Sequence, residues 1–373
     1  MNPTISKIAE NDAILTFTLS GVNVSIANGL RRIISEIPTV VFRTSPYEAN
    51  RATFEMNTTR MNNELIKQRL SCIPIYADSD FPTDNYMVVV DKQNKSNTIE
   101  YCTTEDFEVI NVETGKKDPE MTRRLFPPNS LTGDYTELVR LLPRVSDNIE
   151  GERIAFKAKF VLGTAKEYSA FNVASSWVYS NTPDMMGIKN AWAKKKAELD
   201  KSLTAADIAF IEKDWHLLEA KRYFLPDAFD FMIETVGPFT NMAIVNKAAQ
   251  LMLRKLRKLQ DTIQNDPNII VAASTTIPNC FDIILKNEDY TLGKVIECVL
   301  YMKYYEPPAM SPNKAPLHYC GFRKPHPHID ESLIRLGFKE PTDKVGVITY
   351  MMDAATEAIR IYDYIGKTFE IIA

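Results

Sequence analysis

AILTFTLSGVNVSIANGLRRIISEIP, residues 13–38, changes its apolar period at a glycine turn. Before the turn, Leu15, Phe17 and Leu19 alternate with Thr16 and Thr18, a strand with one apolar face and Ile14 out of phase. Ser20-Gly21 reads as the turn. Ser25 is then placed to cap a helix in which Ile26, Leu30, Ile33, Ile34 and Ile37 recur three and four residues apart, and Pro38 stops it. Arg31 and Arg32 fall near the polar edge. The stretch predicts a strand followed by a short amphipathic helix.

Working outward, residues 42–161 break into short alternating segments, such as Ile99-Glu100-Tyr101-Cys102 and Ile154–Phe160, separated by Asp, Asn and Pro clusters. A β-rich insert is expected there. Residues 188–223 carry dense mixed-sign charge with Trp192 and Trp215 and read as one or two solvated helices attached to it. A strand at residues 228–234 breaks at Gly237-Pro238 and leads into a long helix with Ile244, Ala248, Met252, Leu256, Leu259 and Ile263 at helical spacing. Asp266-Pro267-Asn268 reads as a linker.

The same order then returns. A strand at residues 279–285 precedes a short helix with Leu292, Val295, Ile296, Val299 and Leu300 on one stripe. A terminal helix follows, with Ile348, Met352, Ala355, Ile359, Tyr362, Phe369 and Ile372 in near-heptad register. The expected fold class is α+β: two halves, each with strands and a long helix, forming an intramolecular pseudo-dimer with a β-rich inserted domain in the first half. The boundaries read as 1–43 and 225–266 for the first half, 44–224 for the insert and 267–373 for the second half. The apolar faces expected to join the halves carry Ile244, Met252, Leu256, Leu259, Leu292, Ile296, Ile348, Met352, Ile359 and Tyr362.

Composition sets limits on function. A formal charge of -4, from 44 basic and 48 acidic residues, leaves no global positive field for a polyanion, so contact with DNA is expected only indirectly. The first residues lack an apolar stretch after a basic start, and no apolar run approaches the ~20 residues that span a bilayer. No membrane partner is expected. Cys72, Cys102, Cys280, Cys298 and Cys320 are odd in number, lie far apart and form no Cys-x-x-Cys pair, which predicts free thiols in a reducing compartment.

Two stretches in the first half carry a family resemblance. Gly21–Thr39, with Asn28-Gly29-Leu30-Arg31-Arg32 and Glu36-Ile37-Pro38, resembles the signature helix of alpha-type RNA polymerase subunits: the bacterial alpha subunit and the third-largest subunit of RNA polymerase II. Asn63–Ile75 is similar to that family's "EfiAHRLGLIPL" stretch, although Lys67-Gln68 and Ser71 replace its usual Ala-His and Gly. In the second half, Glu288-Asp289-Tyr290-Thr291-Leu292-Gly293-Lys294 resembles the "EDHTLGN" motif of the eleventh subunit, and Gly321–Pro327 its "GYKVPHP".

The resemblance implies a non-catalytic scaffold for a multisubunit DNA-directed RNA polymerase. Its partners would be the largest and second-largest subunits and the smaller tenth- and twelfth-subunit types. Carried over by position, the surface facing partner subunits would contain Asn28, Leu30, Arg31, Arg32, Glu36, Glu64, Arg69 and Leu70. Fusion of the two halves resembles polymerases of large cytoplasmic DNA viruses, which implies the host cytoplasm, in viral factories, and the virion. With only Cys72 and Cys102 in the insert, the cysteine zinc site frequent in eukaryotic third subunits is expected to be missing.

The residues offer sharper and blander readings. An unplaced Arg-Arg pair is usually a solvated helix edge, but within this motif an interface role fits, because guanidinium forks fix orientation as well as affinity. Arg254, Lys255, Arg257 and Lys258 could touch phosphates, as a stand-alone DNA-binding regulator requires. Their place late in a helix, without interleaved aromatics, suits dipole compensation better. His318, Cys320, His326 and His328 match no structural zinc spacing. No nucleotide-binding, nucleophile or Asp-triad motif is present, so neither a catalytic site nor a cofactor is expected.

Overall fold

In the computed structural model Asn23, rather than Ser25, caps the first helix: its Oδ1 accepts the Ser25 amide at 2.9 Å. Asn caps as well as Ser does. Starting at Val24 brings Ile26, Leu30 and Ile33 onto one buried stripe. The structure describes residues 1–11, 13–144, 146, 150–199, 203–273, 277–307 and 315–372. Strands β1 (Thr4–Asn11) and β2 (Ile14–Ser20) pair antiparallel and lead into α1 (Val24–Ile33). Leu15, Phe17 and Leu19 are buried, as the alternation requires.

The chain folds into two compact units: Met1–Ile34, Ser176–Glu234 and Asn241–Ala373 form one, and Ser35–Ser175 with Thr235–Thr240 the other. The second unit is β-rich, as read from its short alternating segments. It contains β3 (Thr39–Val41), β4 (Ala52–Asn57), α2 (Asn63–Ser71), β5 (Tyr86–Gln93), β6 (Glu100–Thr103), β7 (Glu108–Asn111), α3 (Pro119–Leu125), β8 (Glu137–Leu141), β9 (Arg153–Lys159) and β10 (Val161–Gly163). A sheet of order β4-β9-β5-β7 and the pairs β6-β8 and β10-β3 surround a core rich in stacked phenylalanines. Phe42 stacks on Phe126 and Phe160, and Phe107 meets Phe126 edge-on.

The first unit resumes with β11 (Ala174–Pro183), α4 (Met185–Glu198), α5 (Ala205–Leu217), β12 (Phe224–Thr235) and α6 (Asn241–Asn265). It continues with β13 (Ile270–Ala272), β14 (Cys280–Lys286), α7 (Tyr290–Leu300), β15 (Leu317–Arg323), β16 (Glu331–Phe338) and α8 (Lys344–Ile372). Its two sheets have the orders β1-β2-β12-β11 and β13-β14-β16-β15. In each, a strand that precedes a short helix (β2, β14) pairs antiparallel with a strand that precedes a long helix (β12, β16). The sequence repeat is thus a repeat of structure, and the fold class is α+β.

The unit boundaries differ from those read in the sequence. Val40 and Phe42 enter the core of the second unit, which moves the first break back to Ile34/Ser35. β11 is hydrogen-bonded to β12, so residues 176–224 group with the first unit and not with the insert. The charged stretch makes two helices, α4 and α5, each started by a side-chain cap, Asp184 and Thr204. Trp192 and Trp215 pack between them with ring centroids 5.5 Å apart.

Candidate dimerisation and partner-subunit surfaces

Helices α6 and α8 run antiparallel: Asn246 Nδ2 donates to the Gly366 carbonyl at 2.9 Å, while Gln260 Nε2 donates to Thr356 Oγ1 at 3.0 Å. Ile244, Met252, Leu256 and Leu259 of α6, Leu292 and Ile296 of α7 and Tyr362 of α8 are all buried. Ile348, Met352 and Ile359 are only partly buried. The fully buried stripe of α8 instead passes through Val347, Met351, Ala354, Ala355, Ala358 and Ile361. A reading weighted by side-chain size misses it, because alanines let two helix backbones approach closely and push the bulkier residues to the flanks. The Ile372 side chain lies outside the described residues.

At Gly29 of α1 four helices converge. A Cβ there would lie 2.5 Å from the Tyr362 hydroxyl, 2.8 Å from Val295 Cγ2 and 3.5 Å from Met252 Cε. Tyr362 is fully buried and donates to the Ile26 carbonyl at 2.9 Å; burial pushes its phenol above the ordinary range. The packing role of Gly29 depends on partners far along the chain.

Arg32 also bonds within the chain. Its Nε donates to Thr291 Oγ1 at 3.1 Å, and its guanidinium pairs with Asp289 at 3.5 Å, so it bonds within the chain to the start of α7. Lys255 of the basic run pairs with Glu288 at 3.0 Å, both side chains less than a fifth exposed. Two cations from α1 and α6 thus meet the adjacent carboxylates Glu288-Asp289. Asp289 also caps α7, accepting the Thr291 amide at 2.8 Å.

The two second-half motifs touch each other. A Cβ at Gly293 would lie 2.0 Å from the Phe322 ring, and the Tyr290 and Phe322 rings meet edge-on at 5.2 Å. Glu297 Oε1 accepts the Phe322 amide at 3.0 Å. Burial pushes the thiols of Cys298 and Cys320 up to about 11 and about 12. Among the described residues no three His, Cys, Asp or Glu are placed to hold a metal ion, and no helix is long and apolar enough to cross a membrane.

The other carried-over residues divide between the units. Leu30 and Leu70 are fully buried, so they anchor their helices in cores and drop out of the contact surface. Asn28 and Arg31 are half-buried on α1 and bonded to each other at 3.1 Å. In the second unit Glu36 pairs with Lys166 at 3.4 Å, and Arg69 reaches the Glu137 carbonyl at 3.1 Å, tying α2 to β8. Glu64 stands exposed in the first turn of α2.

A strand-helix unit repeated within one fold, joined through antiparallel long helices and a glycine where four helices cross, is a pairing architecture. Residues 16–125 match the RNA polymerase Rpb3/Rpb11 dimerisation domain. The chain is 24% identical over 283 residues to DNA-directed RNA polymerase subunit Rpo3 of Pyrococcus horikoshii, covering 70% of this chain and 97% of that protein. It is 26% identical over 196 residues to the DNA-directed RNA polymerases IV and V subunit 3B of Arabidopsis thaliana, covering 49% of this chain and 58% of that protein. A putative DNA-directed RNA polymerase subunit, R470 of Acanthamoeba polyphaga mimivirus, is 27% identical over 143 residues, 37% of this chain and 34% of that one. The chain therefore spans little more than half of the Arabidopsis relative and about a third of the viral one. The Rpb3/Rpb11 match begins within β2 and includes α1, so Gly29 and Arg32 belong to it. The Pyrococcus and Arabidopsis relatives are named as third subunits of DNA-directed RNA polymerases.

Proposed function

We propose that the chain is an assembly subunit of a multisubunit DNA-directed RNA polymerase in which two alpha-type dimerisation halves, the second like an eleventh subunit, are fused. The observation that carries this reading is the repeat itself: β2-α1 with β12-α6, and β14-α7 with β16-α8, in a single unit whose long helices bury one apolar face. Such a pair presents a rigid platform, and its partners would be the two large catalytic subunits with small subunits of the tenth and twelfth types. The mimivirus relative supports a viral setting, with the host cytoplasm and the virion as its place. A stand-alone DNA-binding role is the weaker reading, because Lys255 of the basic run is spent on Glu288.

Purification of the tagged full chain from producing cells, with partners identified by mass, tests the assignment. Two very large polymerase subunits are expected. Recovery of the chain alone, together with tight and salt-sensitive DNA binding by it, would sink the proposal. Arg31→Glu and Glu64→Lys are expected to lower recovery of the large subunits about tenfold or more, as charges at an interface hot spot do, while the chain stays folded.

A further inference from the structure

The internal repeat allows each cross-half contact to be compared with its image. Aligning the caps Asn23 and Asp289 matches Val22 with Glu288, Ser25 with Thr291, Gly29 with Val295 and Arg32 with Cys298. For the long helices, one register places the buried Ala248, Ala249, Met252 and Leu256 on the buried Ala354, Ala355, Ala358 and Tyr362. It also matches Lys255 with Ile361. The apolar contacts obey this pseudo-twofold relation. The charges do not.

Where Lys255 faces Glu288, the image positions are Ile361 and Val22, both buried and apolar. Where Arg32 reaches Asp289 and Thr291, the image positions are Cys298 with Asn23 and Ser25. At these contacts the first half supplies the cations Arg32 and Lys255, and the second half supplies the carboxylates Glu288 and Asp289.

We propose that these four residues are a pairing code that makes the first half select a second half and reject another first half. Both halves carry an apolar face whose shape differs where Gly29 of the first half meets Val295 of the second, and the charges add a second, chemical ground for telling the pairings apart. Two first halves together would set each Lys255 against Val22 and each Arg32 against Asn23, leaving cations on apolar or neutral groups at a mostly buried seam. Two second halves would strand Glu288 and Asp289 against Ile361 and Cys298. Unpaired charge at a desolvated contact costs far more than a matched pair gains, which is how wrong partners are excluded. The code rests on the fused-pair reading above and adds that fusion is accompanied by a chemical preference. It also gives Arg32 a role within the chain.

The test uses the full chain with a protease site placed between Asn265 and Asn268. The folded protein is cut, two preparations with distinguishable first fragments are unfolded together in urea and refolded, and one tagged first fragment is recovered. Wild-type first fragments are expected to carry second fragments in at least tenfold excess over other first fragments. In Arg32→Gln/Lys255→Met that excess should fall to within a fewfold of parity. Should this variant refold poorly, Lys255→Glu/Glu288→Lys provides the independent arm: refolded with wild type, its first fragment should choose its own second fragment. Unchanged selectivity in Arg32→Gln/Lys255→Met, or indifference of the swapped fragments, overturns the code. Failure of wild-type fragments to associate at all would instead remove the fused-pair reading on which the code rests.

Discussion

At the residue scale, Gly29 gives a test whose sign separates packing from propensity. In a helix interior Gly is about 1 kcal/mol worse than Ala, so propensity alone makes Gly29→Ala stabilising. The crossing makes it destabilising, because the new Cβ would stand 2.5 Å from the Tyr362 hydroxyl and 2.8 Å from Val295. We expect a loss of about 1–3 kcal/mol in urea unfolding, typical of an overpacked site. Adding Tyr362→Phe should cost less in this background than in the wild type, since it removes the nearest atom. A Gly29→Ala chain as stable as wild type would contradict the crossing. The motif around Gly29 was legible in the sequence, but this reason for it was not: Tyr362 and Val295 lie in the other half, and local periodicity carries no long-range pairing. Arg32 is the same case, with a partner 259 residues away. The thiols give a second residue-scale prediction. Burial raises Cys102 and Cys320 to about 12 and Cys298 to about 11, and it raises Cys280 as well, whereas Cys72 is exposed. Since the thiolate is the reactive form, a thiol reagent at neutral pH should modify Cys72 first and the other four only on unfolding. Peptide mapping of the labelled sites would show whether it does.

At the element scale, the strands and helices that bury one face were readable, while those that share their burial were not. Leu15, Phe17 and Leu19 alternate because β2 has a single core-facing side, and Ile26, Leu30 and Ile33 follow the turn of α1 for the same reason. Along α8 the pattern is ambiguous: Ile348, Met352 and Ile359 flank a seam made by Ala354, Ala355 and Ala358. Ala358→Leu is therefore expected to be more damaging than Ile359→Ala, although it adds apolar surface. Thermal unfolding of the two variants decides the order. The pair α4-α5 is held differently, by a small cluster of Trp192, Trp215 and Ala220 with Ile188, Ala191, Leu199 and Ile211 around it. Trp192→Ala removes one of the two indole rings of that cluster, a change that costs about 3–5 kcal/mol in a full core. Because so little else secures the hairpin, the loss should appear as local opening. Amide exchange should accelerate through residues 185–217 and stay slow through 241–265; uniform acceleration would mean that the hairpin and the long helix open together.

At the scale of the whole molecule, the proposed fusion of two halves on one chain would replace association by folding. Each long helix leaves a stripe that water would otherwise cover: Ile244, Ala248, Met252 and Leu256 on α6, and Met351, Ala355, Tyr362 and Phe369 on α8. Apolar burial contributes roughly 25 cal/mol per Å², and a seam continuous along both helices has the character of a domain core rather than a transient contact. The linker at residues 266–268 raises the effective concentration of one half near the other. Cutting the folded chain between Asn265 and Asn268 should therefore remove the tether and keep the pair. We expect the two fragments to co-elute at micromolar concentration in moderate salt, with a melting temperature that becomes dependent on protein concentration, as it must once folding includes association. Elution as separate fragments under those conditions would mean that the tether, and not the helix seam, holds the halves together. A concentration-independent melt of the co-eluting pair would mean that the fragments stay paired beyond the transition.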